Sequence, residues 1–139
     1  MATFESSVKQ IACRQTTVYN NLSDLSKLQQ LKDHLPADKQ DGFSINSDSI
    51  SIKSPMGSDI QLRIIEREAP KTIKFEAANA PVPLNFWIQL LPVTDDSCKI
   101  KLTIKADIPF FMKAMAEKPL SEGLEKVAEA LAMIPYKDE

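Results

Sequence analysis

The chain has 139 residues, of which 43% are hydrophobic and 26% are charged, a composition typical of one globular domain spanning residues 1–139. The 17 basic and 19 acidic side chains give a formal net charge of −2, which disfavours a nucleic-acid partner because such domains usually concentrate basic residues in a patch. No cationic start followed by an apolar run opens the chain, and no apolar run is long enough for a membrane span, so we expect a cytoplasmic protein without membrane insertion.

The N-terminal region predicts one strand followed by two short helices. Between residues 3 and 13, Phe4 and Val8 alternate with polar residues, as in a strand with one buried face. The period then changes to three or four, which is typical of an apolar stripe on a helix. Asparagines and serines between residues 20 and 26 favour caps and turns, so we expect two helices rather than one. The stripe consists of Val18, Leu22, Leu25, Leu28 and Leu31.

The middle of the chain, from residue 42 to residue 107, predicts six strands. Apolar residues recur there at alternate positions, and the runs are separated by turn residues such as Pro55 and Gly57. Consecutive strands with short connections are typical of an antiparallel meander. The last two strands form a hairpin that turns at Asp95 and Asp96.

Residues 109–135 predict one long amphipathic helix, which Pro119 should bend because proline removes a backbone hydrogen bond. A sheet with one apolar face needs a cover, and this helix is the long amphipathic element that the sequence offers. The N-terminal strand can pair beside the last strand, so we expect the sheet to curl around the helix. The apolar face of the helix consists of Leu120, Leu124, Val127, Leu131 and Ile134.

Three segments resemble the START-like, or SRPBCC, helix-grip superfamily. Residues 4–28 are similar to its first strand and helix, with Val18 and Tyr19 followed by Leu22-Ser23-Asp24. Residues 64–76 resemble its middle hairpin, and residues 86–107 resemble its last one. The last hairpin departs from the family's usual glycine-glycine-threonine turn, because Asp95-Asp96-Ser97 stands there. The resemblance covers nearly the whole chain, and it is to the small, bacterial-type members of the superfamily.

The resemblance implies an α+β helix-grip fold. In this fold a curved six- to seven-stranded antiparallel sheet wraps around a long C-terminal helix, with two short helices after the first strand. A cavity lies between the sheet and the helix. Members include lipid and hormone carriers, polyketide aromatases and cyclases, chaperone co-activators and oxygenase domains. A shared fold does not by itself decide between these activities.

The register of the last hairpin decides which residues face the cavity. If the turn centres on Asp95 and Asp96, Trp87 lies opposite Ile104 and points inward together with Gln89 and Leu91. The opposite face, with Phe86, Ile88 and Leu90, is then a candidate homodimer patch. A one-residue bulge reverses both faces of the first strand. We predict the unbulged register, because it is the simpler one.

The sequence favours the binding or transport of a small apolar molecule. Such a site needs a cavity and one or two polar groups, for which an inward Trp87 and Gln89 are candidates. No cofactor is expected. The predicted cavity residues are Leu62, Ile64, Phe75, Trp87, Gln89, Leu102, Ile104, Met115 and Leu124.

Two alternatives stay open. A cyclase-like enzyme needs an acid or base in the cavity, and Glu66 continues the inward face of its strand. Tyr19 is a second candidate, whereas Arg63 has outward parity. The other alternative is a filled core that acts through protein–protein contacts.

The remaining chemistry-bearing residues have simpler interpretations. The single histidine, His34, is interpreted as a surface residue near a helix end. With one histidine and two separated cysteines, we expect no metal site. Cys13 and Cys98 are expected to be reduced, structural thiols. We therefore assign no catalytic residue and lean towards a protein that is not an enzyme.

Overall fold

A computed structural model describes residues 2–32, 43–45, 49–52, 60–77, 83–134 and 136. The described residues form eight strands and three helices in the predicted order, with the first strand divided in two. His34 and the turn at Pro55 and Gly57 lie outside these residues. The elements are β1 (Ala2–Glu5), β2 (Lys9–Ile11), α1 (Gln15–Leu22), α2 (Leu25–Lys32), β3 (Phe43–Ile45), β4 (Ile50–Ile52), β5 (Ile60–Glu68), β6 (Thr72–Ala77), β7 (Leu84–Thr94), β8 (Ser97–Ala106) and α3 (Phe110–Met133).

The strands form one antiparallel sheet in the order β1-β8-β7-β6-β5-β4-β3. Strand β2 also pairs with β8, so β1 and β2 share one edge position and the sheet has seven strand positions. At the break between them, the Ser6 hydroxyl accepts a hydrogen bond from the Leu102 amide at 2.9 Å. The predicted α+β helix-grip fold, with the first strand beside the last, is confirmed.

Helices α1 and α2 meet at a turn, as the serines and asparagines there predict. The Asp24 carboxylate accepts a hydrogen bond from the Ser26 amide at 3.1 Å and so caps the start of α2. Leu22 and Leu28 are fully buried, and both helices contribute to the same core as the sheet. Helix α1 packs on β7 and β8, and α2 packs on β3.

Helix α3 is continuous through Pro119 and packs on β1, β2 and β8. Its C-terminal half supplies the buried side chains, including Leu124, Val127 and Leu131. This burial follows from the apolar stripe read in the sequence. The helix therefore covers the edge of the sheet at which the first and last strands meet.

The predicted register of the last hairpin is wrong. Trp87 pairs with Thr103, and the ladder shifts between Pro92 and Thr94, so Trp87, Gln89 and Leu91 lie on the outer, convex face. The shift falls at a proline, which has no amide hydrogen to contribute to the ladder. It buries three apolar side chains in place of a tryptophan, a glutamine and a leucine, which removes more apolar surface from water. Phe86, Ile88 and Leu90 are buried in the core, and the homodimer patch predicted from them is also wrong.

The inward orientation predicted for Glu66 is wrong for a similar reason. Strand β5 pairs Ile64 with Phe75 but Glu66 with Lys74, so Ile65 is an extra residue in the strand. This bulge turns Glu66 to the convex face, where it is exposed. Arg63 has the outward orientation that its parity predicts, and its Nη2 lies 2.5 Å from a carboxylate oxygen of Glu76.

Candidate ligand-binding site

The concave face of the sheet is built from apolar side chains that line up across the strands. One row crosses five strands through direct cross-strand pairs: Ile64, Phe75, Phe86, Ile104 and Phe4. The rings of Phe75 and Phe86 have centroids 5.3 Å apart and are tilted by 46°. Such tilted aromatic pairs add about 0.5–1.5 kcal/mol beyond the area they bury. The centre of the concave face is therefore aromatic and flanked by branched aliphatic residues.

Most of the predicted cavity residues lie on this face or on the helix above it. Ile64 is half-buried and packs against the core. Their role in binding a ligand stays a prediction, but the structure places them around one shared interior. The fully or almost fully buried members are Leu62, Phe75, Leu102, Ile104 and Leu124.

Three predicted cavity residues lie elsewhere. Trp87 and Gln89 are on the convex face because of the bulge near Pro92. The Gln89 amide oxygen accepts a hydrogen bond there from the Thr103 hydroxyl at 3.3 Å. Met115 is 78% exposed on α3, because it is not part of the apolar stripe that meets the sheet.

Sequence reasoning missed Phe4 and Phe86, two of the aromatic residues of the concave row. Both are nearly inaccessible, with 2% and 1% of their surfaces exposed. The unbulged register places Phe86 on the outer face, and the alternation around Phe4 predicts a buried face but does not relate it to the cavity. The signal for Phe86 was the run of Phe86, Ile88 and Leu90, which is more apolar than the alternate positions.

Two polar side chains, Arg67 on β5 and Tyr19 on α1, lie where the sheet meets the short helices. Arg67 pairs across strands with the buried Ile73, and its Nε donates a hydrogen bond to the Ser23 carbonyl at 3.1 Å. Tyr19 is buried nearby, and this burial raises the pKa of its hydroxyl, while the positive charge of Arg67 acts in the opposite direction. The arrangement ties the sheet to the turn between the two short helices.

The two cysteines and Tyr136 lie close together at the C-terminal end of α3. Burial, together with a smaller contribution from the nearby Cys13 thiol, raises the pKa of the Cys98 thiol to about 11. Burial also raises the pKa of Tyr136, whose hydroxyl donates a hydrogen bond to the Leu131 carbonyl at 2.6 Å. A protonated, buried thiol is a poor nucleophile, so Cys98 acts as a packing residue.

Among the described residues, no cluster of three or more histidine, cysteine, aspartate or glutamate side chains is arranged to hold a metal ion. In the same part of the chain, no helix is long and apolar enough to cross a membrane.

No protein-family model matches the chain, and no curated protein sequence matches it. The chain does match solved structures. A START superfamily protein from Mycobacterium smegmatis is 14% identical, with a TM-score of 0.63 over 94% of each chain. A protein from Thermus thermophilus is 15% identical, with a TM-score of 0.66 over 94% of each chain.

Norcoclaurine synthase from Thalictrum flavum, in complex with dopamine and hydroxybenzaldehyde, is 18% identical, with a TM-score of 0.64 over 94% of this chain and 84% of that chain. At these identities the likeness concerns the fold and not the activity. In all three comparisons the likeness spans 94% of this chain, which includes the sheet and the helices. The chain therefore has the START-like, or SRPBCC, helix-grip fold.

Proposed function

We propose that the protein binds a small apolar molecule between the concave face of the sheet and the N-terminal half of α3. The main support is the way in which the packing of α3 changes along its length. Two rows of residues spaced by seven face the sheet: Leu120, Val127 and Ile134 form one, and Leu124 and Leu131 form the other. All of these except the half-buried Leu120 are buried.

Continued one step towards the N-terminus, the same two rows reach Lys113 and Glu117. Both side chains are exposed, although the seven-residue spacing of the two rows continues to their positions. The side of α3 that carries the two rows thus changes from apolar and buried to charged and exposed near Leu120. A ligand would reach the interior under this half of the helix, with its apolar part on the concave row and any polar part near the two charges.

Ligand binding requires some movement of the protein. Phe75, Phe86 and Leu102 are already packed against other side chains, with at most 1% of their surfaces exposed. Space for a ligand would arise by displacement of the N-terminal half of α3, which contributes the fewest buried side chains. The free energy of this displacement lowers the apparent affinity, because only the open fraction of molecules binds. The neighbouring structure with dopamine and hydroxybenzaldehyde is consistent with small aromatic molecules being accommodated by this fold.

The cyclase-like alternative has less support. Its proposed acid or base, Glu66, lies on the convex face, and Arg63 is paired there with Glu76. Tyr19 is the predicted catalytic candidate that remains in the interior, and the high pKa that burial gives its hydroxyl keeps it protonated. A single protonated hydroxyl supplies a hydrogen-bond donor but no base.

Native mass spectrometry of gently purified protein is the direct test of ligand binding. We expect a bound apolar molecule, or saturable binding of phenylnaphthylamine by the protein after its ligand has been extracted. The substitution Leu120→Trp should block the space under α3 and abolish binding of the probe. Met133→Trp, on an exposed part of the same helix, is the matched control and should bind normally. A clean mass without saturable probe binding would overturn the proposal, as would normal binding by folded Leu120→Trp.

A further inference from the structure

The convex face of the sheet carries a second feature, centred on the chain's only tryptophan. Trp87 is half-buried in the middle of β7. The ammonium group of Lys74 lies 5.4 Å from the centroid of its ring, and that of Lys105 lies 5.7 Å away. Each contact is attractive, because the face of the ring carries a negative partial charge. The ring thus holds two like charges close together on one surface.

Lysines occupy both strands that flank β7. On β8, Lys99, Lys101 and Lys105 point to the convex face, and on β6, Lys74 lies directly across from the tryptophan. Among the described residues, Lys101 forms an ion pair with Glu5 at 3.1 Å, whereas the other three lysines form none. Three positive charges therefore remain without a carboxylate partner in this part of the chain.

An apolar side chain extends the feature along the strand. Leu91 is on the same face as Trp87, four residues further along β7, and is 64% exposed. The two positions are about 13 Å apart along an extended strand. The cross-strand neighbour of Leu91 is Lys99. The strip formed by Trp87, Leu91, Lys74, Lys99 and Lys105 is thus an apolar line with cations beside it, which we call the Trp87 strip.

Carboxylates bound the Trp87 strip on both sides. The cross-strand row through the tryptophan runs Glu66, Lys74, Trp87, Thr103, Glu5, so that each end of the row is acidic. The strands β5 and β1 that carry these ends are four strand spacings apart, or about 19 Å. At the hairpin turn, Asp95 and Asp96 are also exposed. The positive region is therefore narrow and runs parallel to β7.

We propose that the Trp87 strip docks a single acidic, amphipathic segment of a partner protein that lies along β7. Apolar residues of the segment would pack on Trp87 and Leu91, and its carboxylates would pair with the three unpaired lysines. A helix is about 10–12 Å wide with its side chains and so fits between the acidic borders. A bilayer or a nucleic-acid duplex would bring anionic groups against those borders, where like charges repel. Tryptophan is a common energetic anchor in protein interfaces.

The single tryptophan reports directly on docking through its fluorescence. The probes are two synthetic helical peptides without tryptophan that share one leucine stripe, flanked by glutamates in one peptide and by lysines in the other. We expect a saturable change in Trp87 emission with the glutamate peptide, weakening as salt is added, and no change with the lysine peptide. The double variant Lys99→Glu, Lys105→Glu should lower the affinity at least about tenfold.

Lys126→Glu, which changes the same charge on an exposed position of α3, is the matched control and should leave binding unchanged. Circular dichroism of each variant would establish that the fold is retained. Equal responses to both peptides, or an unchanged affinity in the double variant, would overturn the proposal. So would preferential binding to phosphatidylglycerol vesicles, or self-association through Trp87 seen as a concentration-dependent mass.

Discussion

Glu125 on α3 binds Ser7 at the break between β1 and β2, 118 residues earlier in the chain. The carboxylate accepts hydrogen bonds from both the amide and the hydroxyl of Ser7, the latter at 2.8 Å, and also pairs with Lys9 at 3.3 Å. One side chain thus fastens the long helix to the interrupted edge of the sheet.

The first prediction concerns this contact. The hydrogen bond from the Ser7 amide is the largest cause that lowers the pKa of Glu125, with further contributions from the Ser7 hydroxyl and Lys9. A carboxyl group with a lowered folded-state pKa stabilises the fold above its unfolded value of 4.5, and this contribution is lost as the pH falls through the folded value. Because the site is partly exposed, we expect Glu125→Gln to cost only about 1 kcal/mol at neutral pH.

Denaturant unfolding at neutral and acidic pH would measure this effect. The difference between wild type and Glu125→Gln should vanish at a pH well below 4.5. Glu122→Gln, at an exposed position one turn earlier on α3, is the control and should unfold like the wild type at both pH values. A difference that persisted in acid would show that the contact does not depend on the charge.

The second prediction tests the register of β7. Phe86→Ala removes a buried ring from the concave row and should cost about 3–5 kcal/mol. Trp87→Ala removes a half-buried ring from the convex face, together with two lysine contacts, and should cost about 1–2 kcal/mol. The unfolding free energies of the two variants test the register, because the unbulged register requires Trp87→Ala to cost more than Phe86→Ala.

The third prediction concerns the break in the edge strand. Ser6→Ala removes the hydroxyl that accepts the Leu102 amide hydrogen, and it leaves that buried donor without its partner. Such a loss costs about 1–3 kcal/mol. Hydrogen exchange should show faster exchange at the Leu102 amide, while amides of the β6–β7 pairing keep their protection. Unchanged protection at Leu102 would mean that another acceptor replaces the hydroxyl.

The fourth prediction concerns alkaline pH. The folded-state pKa of Cys98 is raised from 9.0 to about 11, so the folded protein retains a proton that the unfolded chain loses between these values. Stability should therefore fall as the pH rises through this window. Cys98→Val removes this dependence but leaves that of Tyr136, whose pKa is also raised. Unfolding measured across the alkaline range should give a shallower slope for Cys98→Val than for the wild type.

The order and type of the elements could be predicted because alternation and helical periodicity are both strong here. The apolar stripe of α3 and the strand alternation of residues 72–77 follow directly from side-chain burial. The partnering of the first strand with the last was also predictable, since a meander leaves its outer strands unpaired on one side. These features depend on patterns that extend over many residues, so one exception does not change them.

The face of the sheet on which an individual side chain lies could not be predicted, because it depends on single extra residues within the strands. Ile65 and the shift beside Pro92 each reverse a strand's alternation, and they moved Glu66 and Trp87 to the convex face. The shift in β7 lies at Val93, beside a proline, whereas the one in β5 lies where two apolar residues are consecutive, Ile64-Ile65. A run that breaks alternation in this way is a physical signal for a bulge, because two neighbouring apolar residues cannot both face the core of a regular strand.

The pairing of Phe4 with Ile104 has a consequence for how the protein is made. The only described partner of the first strand is β8, which lies about 100 residues later in the chain. During synthesis the first strand therefore stays unpaired until β8 has left the ribosome. Contacts between such distant residues also slow folding of the released chain. A truncation within β8 would therefore leave the N-terminal segment without its partner strand. The unpaired backbone and the apolar face of the segment would then be exposed to other nascent chains.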